Sequence, residues 1–441
     1  ATAITKTENV ILDAPSGYVW DGTGKLAKAV AQIGDTSYAS LADAIDAAQD
    51  GDTVKLLDDQ SNYRCIDVTK NITIDLNGKT VTNSASPMFS TTGEVTIQNG
   101  TITSSSACAA VSAYNKLTLS NVTITGATNG RGKNLVNVCS EAEVTIDKDT
   151  VISAKGDGCA VFVGEENVPE GTKFTLNIYG KVTQSGKSYA ISGNGSYRAG
   201  YSCINIYEGA EVRSPSCAIY QPQAGEINAY GGLVEGYCAI GMKSGTLNIS
   251  GGTVRGTAND NVLGDGNSNG NGMSYDGSAI VIDSRSSGYD GNVKINITGG
   301  TVESCYSTAI REIGNDSAVT QLKELTVSGG SVLSASQKPG NVEKDMLVRD
   351  ISADSISVSG GTFSSAVDPE YCADGFIPKD NGDGTYGVTR PSSSSSSRYN
   401  VTAPKADHGT VTVTPSRASK GDTVTVTVKP DSGYVLETLT V

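Results

Sequence analysis

The sequence predicts an all-β chain built as a right-handed parallel β-helix, and three observations carry that prediction. One phrase recurs along the chain: an alternating apolar run, a tight turn, and a short β-branched run. It is plainest in Glu226-Ile-Asn-Ala-Tyr-Gly-Gly-Leu-Val, Thr246-Leu-Asn-Ile-Ser-Gly-Gly-Thr-Val, Lys294-Ile-Asn-Ile-Thr-Gly-Gly-Thr-Val and Glu324-Leu-Thr-Val-Ser-Gly-Gly-Ser-Val. The apolar residues within each copy alternate with polar ones, the signature of a strand with one buried face. The interval between copies varies from 20 residues (Ile227 to Leu247) to 48 (Leu247 to Ile295), so extra residues leave as loops while the core phrase stays constant.

Anchored on the first inward apolar residue, eleven copies begin at Ile74, Val95, Leu117, Val144, Leu176, Ile204, Ile227, Leu247, Ile295, Leu325 and Ile356. A second apolar residue follows two places on (Leu76, Ile97, Leu119, Ile146, Ile249, Ile297, Val327, Val358). A third follows the turn (Val81, Ile102, Ile124, Val151, Val234, Val254, Val302, Val332, Phe363). Eleven coils stacked about 4.8 Å apart give a rod of roughly 50 Å. The Gly pairs at 231–232, 251–252, 299–300, 329–330 and 360–361 fall where a corner between strands needs positive φ.

Taken in order, residues 1–29 read as an irregular N-terminal arm and residues 30–389 as the β-helix. Ser40 is placed to N-cap a helix whose Leu41, Ile45 and Ala48 share a face, with Gly51 ending it and Thr53-Val-Lys-Leu starting the first strand. An open solenoid end exposes core and an unpaired edge, so this helix is expected to be the N-terminal cap. Asp380-Asn-Gly-Asp-Gly-Thr between Phe376-Ile377 and Tyr386-Gly-Val388 reads as a hairpin closing the last coil. Residues 390–398, with Ser392 to Ser397, form a low-complexity linker. Residues 399–441 alternate strictly and form a small C-terminal β module.

Two stretches carry a resemblance. Ile33-Gly-Asp-x-x-Tyr-x-Ser-Leu-x-x-Ala-Ile-x-Ala-Ala-x-x-Gly-Asp-Thr-Val resembles the opening of pectin-lyase-like β-helix regions of large Gram-positive surface proteins, and Tyr371 to Val388 resembles their closing segment. Gly409-Thr-Val, Gly421-Asp-Thr-Val-Thr-Val and Pro430-Asp-x-Gly-Tyr are similar to the divergent internalin-type B repeat. Such modules normally run on beyond this point, so the expectation is a monomeric piece of a longer, multi-module, extracellular or secreted protein.

Composition narrows the partners. With 33 basic and 47 acidic residues the formal charge is −14, which argues against nucleic acid and anionic membrane. No run of 18 apolar residues is present, so no membrane insertion is expected, and no signal peptide is visible at Ala1. Nine Cys is an odd number. Cys159, Cys217 and Cys238 precede Ala at one repeat position where later copies have Ser278 and Thr308, which suits small buried thiols. Neighbouring coils also lie near the Cα separation that one vertical disulfide tolerates. No CxxC pair points to zinc.

Candidate chemistry is sparse. From Asp265, positions 1, 3, 5, 6 and 12 read Asp265, Asn267, Asn269, Gly270 and Asp276, a calcium-loop pattern with Asp in place of the final Glu. Calcium is the one cofactor suggested; an Asn/Gly-rich insertion produces the same pattern by composition alone. After the Ala-Ile position, successive copies place Asp283, Arg285, Arg311, Glu312, Arg349 and Asp350 on adjacent coils. They form either a mixed-charge patch or a solvated ladder of opposite charges. In polysaccharide lyases of this fold, calcium-binding carboxylates and a basic residue occupy such a flank, so Asp283, Arg311 and Asp350 are the catalytic candidates the resemblance implies. Arg285, Glu312, Arg349 and Tyr220 are candidates for binding. Ala160, Ala190, Ala218, Ala239, Ala279 and Ala309 would form either a flat outward stripe or, in the opposite phase, part of the core. The only His is His408, outside the repeats. Two functions follow: a non-catalytic stalk or adhesin contacting glycans or host and partner proteins, or a polysaccharide lyase or glycoside hydrolase resting on fold analogy.

Overall fold

The computed structural model describes residues 13–62, 64–84, 87–105, 109–128, 133–195, 200–259, 277–283, 292–313, 321–335, 347–349, 356–391 and 398–439, with backbone alone at 83, 321 and 347–349. The chain divides into two compact units, Ala1–Thr389 and Arg390–Val441. It is almost entirely β, and most strands of the larger unit belong to one extensive sheet dominated by parallel pairing.

Within that sheet run three parallel ladders, with some longer strands, such as Val95–Ser104, contributing to two of them. The first runs from Thr53–Leu56 through Ile72–Asp75, Val95–Ser104 and Lys116–Thr128 to Ile356–Val358. Its register aligns Ile72, Val95, Leu117, Val144, Leu176, Ile204, Ile227, Leu247, Ile295, Leu325 and Ile356. Nearly all of these are fully buried. The sequence anchored this column on Ile74, one alternation too late. Ile74 belongs to the second column, under Ile97 and over Val54. Leu76 is also buried, and three apolar residues at alternate positions, 72, 74 and 76, leave the phase ambiguous in sequence alone.

The second ladder aligns Val81, Ile102, Ile124, Ile152, Val182, Val212, Val234, Val254, Val302, Val332 and Phe363. Here Ile152 replaces the expected Val151, which pairs with Thr123 on the outer row. Two adjacent β-branched residues hid the phase. The third ladder aligns Ile66, Phe89, Val111, Val136, Val161, Ile191, Ile219, Ile240, Ile280 and Ile310. The inward columns of all three ladders contribute to one continuous hydrophobic core. Each aliphatic side chain removed from water adds roughly 1.5–3 kcal/mol.

The Gly pairs have two causes. The second member takes positive φ, +71 at Gly232, +72 at Gly252, +71 at Gly300 and +74 at Gly330, as the corner requires. The first member does not. A Cβ on Gly251 would lie 2.2 Å from the Tyr230 carbonyl oxygen, and one on Gly299 would lie 2.3 Å from that of Ser250. The backbone of the preceding repeat leaves no room there.

Both ends of the stack are covered. The helix Leu41–Ala47 is N-capped by Ser40, whose Oγ accepts from the Asp43 N–H at 3.0 Å, and it buries Leu41, Ala42, Ala44 and Ile45. It ends at Ala48, which is already extended, three residues before Gly51. Beside it, Ala31–Ile33 pairs antiparallel with Thr53–Leu56, so a strand as well as the helix blunts the first edge. At the other end Ile377–Asp380 and Tyr386–Thr389 form the expected hairpin, and Phe363 pairs with Tyr386. The N-terminal arm is not irregular throughout, since Tyr18–Trp20 pairs with Leu26–Lys28. In the smaller unit Gly409–Thr414 pairs antiparallel with Thr425–Pro430, and His408 stacks on Tyr434 at 4.2 Å.

Candidate functional site

The predicted site residues that the structure describes gather on the third ladder, in the repeats from Ile191 to Ile313. Strand alternation sends Ile219, Ile240, Ile280 and Ile310 inward and Tyr220, Gly241, Val281 and Arg311 outward, in register with one another. Two places beyond the inward Ile, the next inward position holds Gln221, Met242, Ile282 and Glu312. Glu312 is therefore a core residue. It is fully buried, and its Oε1 accepts the Leu322 N–H at 2.8 Å, tying the end of this ladder to the start of the next.

Asp283 is also fully buried. Its Oδ1 lies 3.5 Å from the Nζ of Lys243, which is equally buried. Its register partner on the next repeat is Ile313 rather than Arg311. The exposed charge patch or solvated ladder expected here is thus corrected in part. Its two described carboxylates are buried, and among its described side chains only Arg311 remains partly exposed. Alternation explains the error: Arg311 and Glu312 are neighbours in sequence and so lie on opposite faces.

Tyr220 is buried as well, 5.0 Å from the Tyr189 ring. It belongs to a second apolar cluster outside the main core, with Cys217, Tyr237, Cys238, Ala258, Val281, Tyr306 and Ile313. The six aligned Ala are core too, each fully buried, so the outward stripe is not formed. Arg285, Asp350 and the calcium-loop residues Asp265, Asn267, Asn269 and Asp276 lie outside the described residues, and Arg349 is described by its backbone alone. Among the described residues no three His, Cys, Asp or Glu side chains converge on one point.

The thiols follow burial. Cys139, Cys159, Cys217 and Cys238 are buried and lie outside any disulfide, the register partners Cys217 and Cys238 included. Burial pushes the thiols of Cys159 and Cys217 up to about 12. Cys139 also reaches about 12, through burial and the Glu165 carboxylate beside it.

Three outward rows escaped sequence reasoning. Between the two inward columns of the first ladder, Asn177, Asn205, Asn228, Asn248 and Asn296 form an amide ladder. From Asn205 onward each Nδ2 donates to the Oδ1 of the asparagine before it, at 2.9, 3.0, 2.8 and 2.8 Å. On the second ladder Arg213, Glu235, Arg255 and Glu303 alternate in sign and pair in sequence, with Arg255 Nε 2.5 Å from Glu303. At the first corner Tyr179, Tyr207 and Tyr230 stack, with centroids 4.2 and 5.3 Å apart. The signal was present in Leu-Asn-Ile and Ile-Asn-Ile, in Val-Arg alternating with Val-Glu, and in Tyr directly after the second apolar column. Only the register reveals that these residues touch.

Residues 399–441 match the divergent InlB B-repeat domain family. No curated protein and no solved structure is significantly similar to the chain. Among the described residues no helix is long and apolar enough to cross a membrane.

Proposed function

We propose that this chain is a non-catalytic surface module of a Gram-positive bacterium. In this reading the three ladders are the faces of one right-handed, pectin-lyase-like parallel β-helix of about eleven coils, carried extracellularly and followed by a linker and a B-repeat module. Its outer walls would contact glycans or host and partner proteins. The observation that carries the reading is the B-repeat match directly after a capped parallel stack. Supporting it, the described acidic candidates Asp283 and Glu312 present no carboxylate to solvent, whereas glycoside hydrolysis or lyase chemistry needs a carboxylate or base that reaches the sugar.

The test has two arms. Incubation of the full chain with pectin, alginate, xylan and hyaluronan is expected to release neither reducing ends nor unsaturated products. Antibody labelling of intact producing cells is expected to show the chain at the surface. Turnover that Asp283→Ala or Arg311→Ala abolishes without unfolding the protein would move the assignment to a polysaccharide lyase or hydrolase. Absence of surface labelling would remove the display role.

A further inference from the structure

The stack of Tyr179, Tyr207 and Tyr230 ends abruptly, with its last ring half exposed. Tyr179, Tyr207 and Tyr230 occupy one corner position on consecutive coils, immediately after Ile178, Ile206 and Ala229 in the second inward column. The Tyr179 and Tyr207 rings are nearly parallel, at 4°, and Tyr230 continues the stack at 24°. Tyr207 is covered on both faces. Tyr230 is covered on one face by Tyr207 and is still 53% exposed, against 38% for Tyr179 at the other end. Its outer face therefore looks up the stack toward the next coil.

That coil offers no fourth ring. Register places Ser250 where a tyrosine would follow, and Thr298 and Ser328 occupy the position on the coils beyond. Beside these hydroxyl residues run the Gly pairs 251–252, 299–300 and 329–330, whose first members cannot carry a side chain because the preceding backbone fills the space. The result is a step. An aromatic wall stands at Tyr230, and a floor of hydroxyls and bare backbone extends from its foot. Coils repeat at about 4.8 Å, so the space one rung above Tyr230 has the thickness of one stacked six-membered ring.

The chemistry of the step selects its occupant. From Ile227 to Val234, Leu247 to Val254, Ile295 to Val302 and Leu325 to Val332, no residue carries a charge at neutral pH. Along its edge Asn248 and Asn296 each spend one N–H on the amide ladder, leaving a second N–H as a donor. An aromatic face attracts the weakly positive C–H groups of a pyranose, whose hydroxyls then reach amides and serine hydroxyls. We propose that the outer face of Tyr230 and the floor at Ser250, Gly251 and Gly252 form a subsite for a neutral pyranose unit of a glycan. This rests on the surface-contact reading above and names its ligand class and place.

The experiment titrates the full chain with cellopentaose, mannopentaose and β-1,4-galactotetraose, and with tetragalacturonate as the acidic comparator. Calorimetry and saturation-transfer NMR provide the readouts. At least one neutral oligosaccharide is expected to bind and tetragalacturonate is not. Tyr230→Ala should weaken that binding at least tenfold. Ser250→Tyr should extend the stack into the vacant rung and abolish binding while thermal stability is kept or raised, so lost binding cannot be blamed on lost folding. Equal binding by wild type and both variants, or binding by none of the neutral probes, overturns the subsite. Equal binding of tetragalacturonate overturns the neutral specificity. Glycan binding that ignores both variants would leave the surface-contact reading standing without this site, whereas loss of cell-surface labelling would remove that reading whatever Tyr230 binds.

Discussion

Lys243 and Asp283 show how far one residue's surroundings decide its role. Both are fully buried, and an ion pair in such a place is weak evidence for net stability, because desolvation offsets attraction. Removing one partner is a different matter, since it strands a charge in the interior. Asp283→Ala is therefore expected to destabilise the larger unit by about 3–5 kcal/mol, measured by denaturant unfolding. A loss below 1 kcal/mol would contradict the burial described here. The thiols give a second check at this scale. Iodoacetamide at pH 8 should modify exposed Cys65 and Cys305 in the native protein and spare Cys159 and Cys217, whose thiols burial holds at about 12, until the chain is unfolded. Peptide mass mapping reads the outcome directly. The sequence anticipated these buried thiols, because Cys, Ser and Thr exchange at one repeat position. It could not place Asp283 or Glu312, since charged residues beside an Ile read as surface until the register shows which face each takes.

The corner and the ladder are the elements that recur. Gly251→Ala is expected to cost more than the usual ~1 kcal/mol of a glycine replacement, because the new methyl meets a carbonyl oxygen of the neighbouring backbone. Gly171→Ala, with positive φ but open space around it, should cost only the conformational part. Equal losses in thermal denaturation would refute the distinction. Asn248→Ala breaks two links of the amide ladder and should lose ~1–2 kcal/mol. On the second ladder, hydrogen bonds from Lys181 and then Arg213 hold the Glu211 carboxyl below its ordinary value of 4.5. A lowered folded value means that the stabilisation is present above pH 4.5 and fades as the pH falls through the folded value. Glu211→Gln should thus cost ~0–1 kcal/mol at pH 7 and nothing in strong acid. The repeat phrase made the strands and Gly corners legible. The phase errors at Ile74 and Val151 arose where apolar residues outnumber the inward positions, so that only partner strands decide.

At the scale of the molecule, a capped stack of repeats joined by a serine-rich stretch to a second unit predicts separable parts. Trypsin is expected to cut after Arg398 and not after Arg390, which precedes Pro391, releasing a fragment that ends near residue 398 with its thermal transition unchanged. The most direct test of the stack itself is a set of distances between outward positions of the first ladder. Spin labels on unnatural residues at Thr96, Asn205, Asn228, Asn248, Asn296 and Thr326 would be measured pairwise by pulsed electron resonance. Stacked rungs predict that distance grows by about 4.8 Å per rung and ignores chain length. Asn248 to Asn296, 48 residues apart, would then add no more than the 20 residues from Asn228 to Asn248, and Thr96 to Thr326 would measure roughly 38 Å. Distances that instead scale with sequence separation, or that fold back on themselves as in a two-sheet sandwich, would contradict the parallel stack.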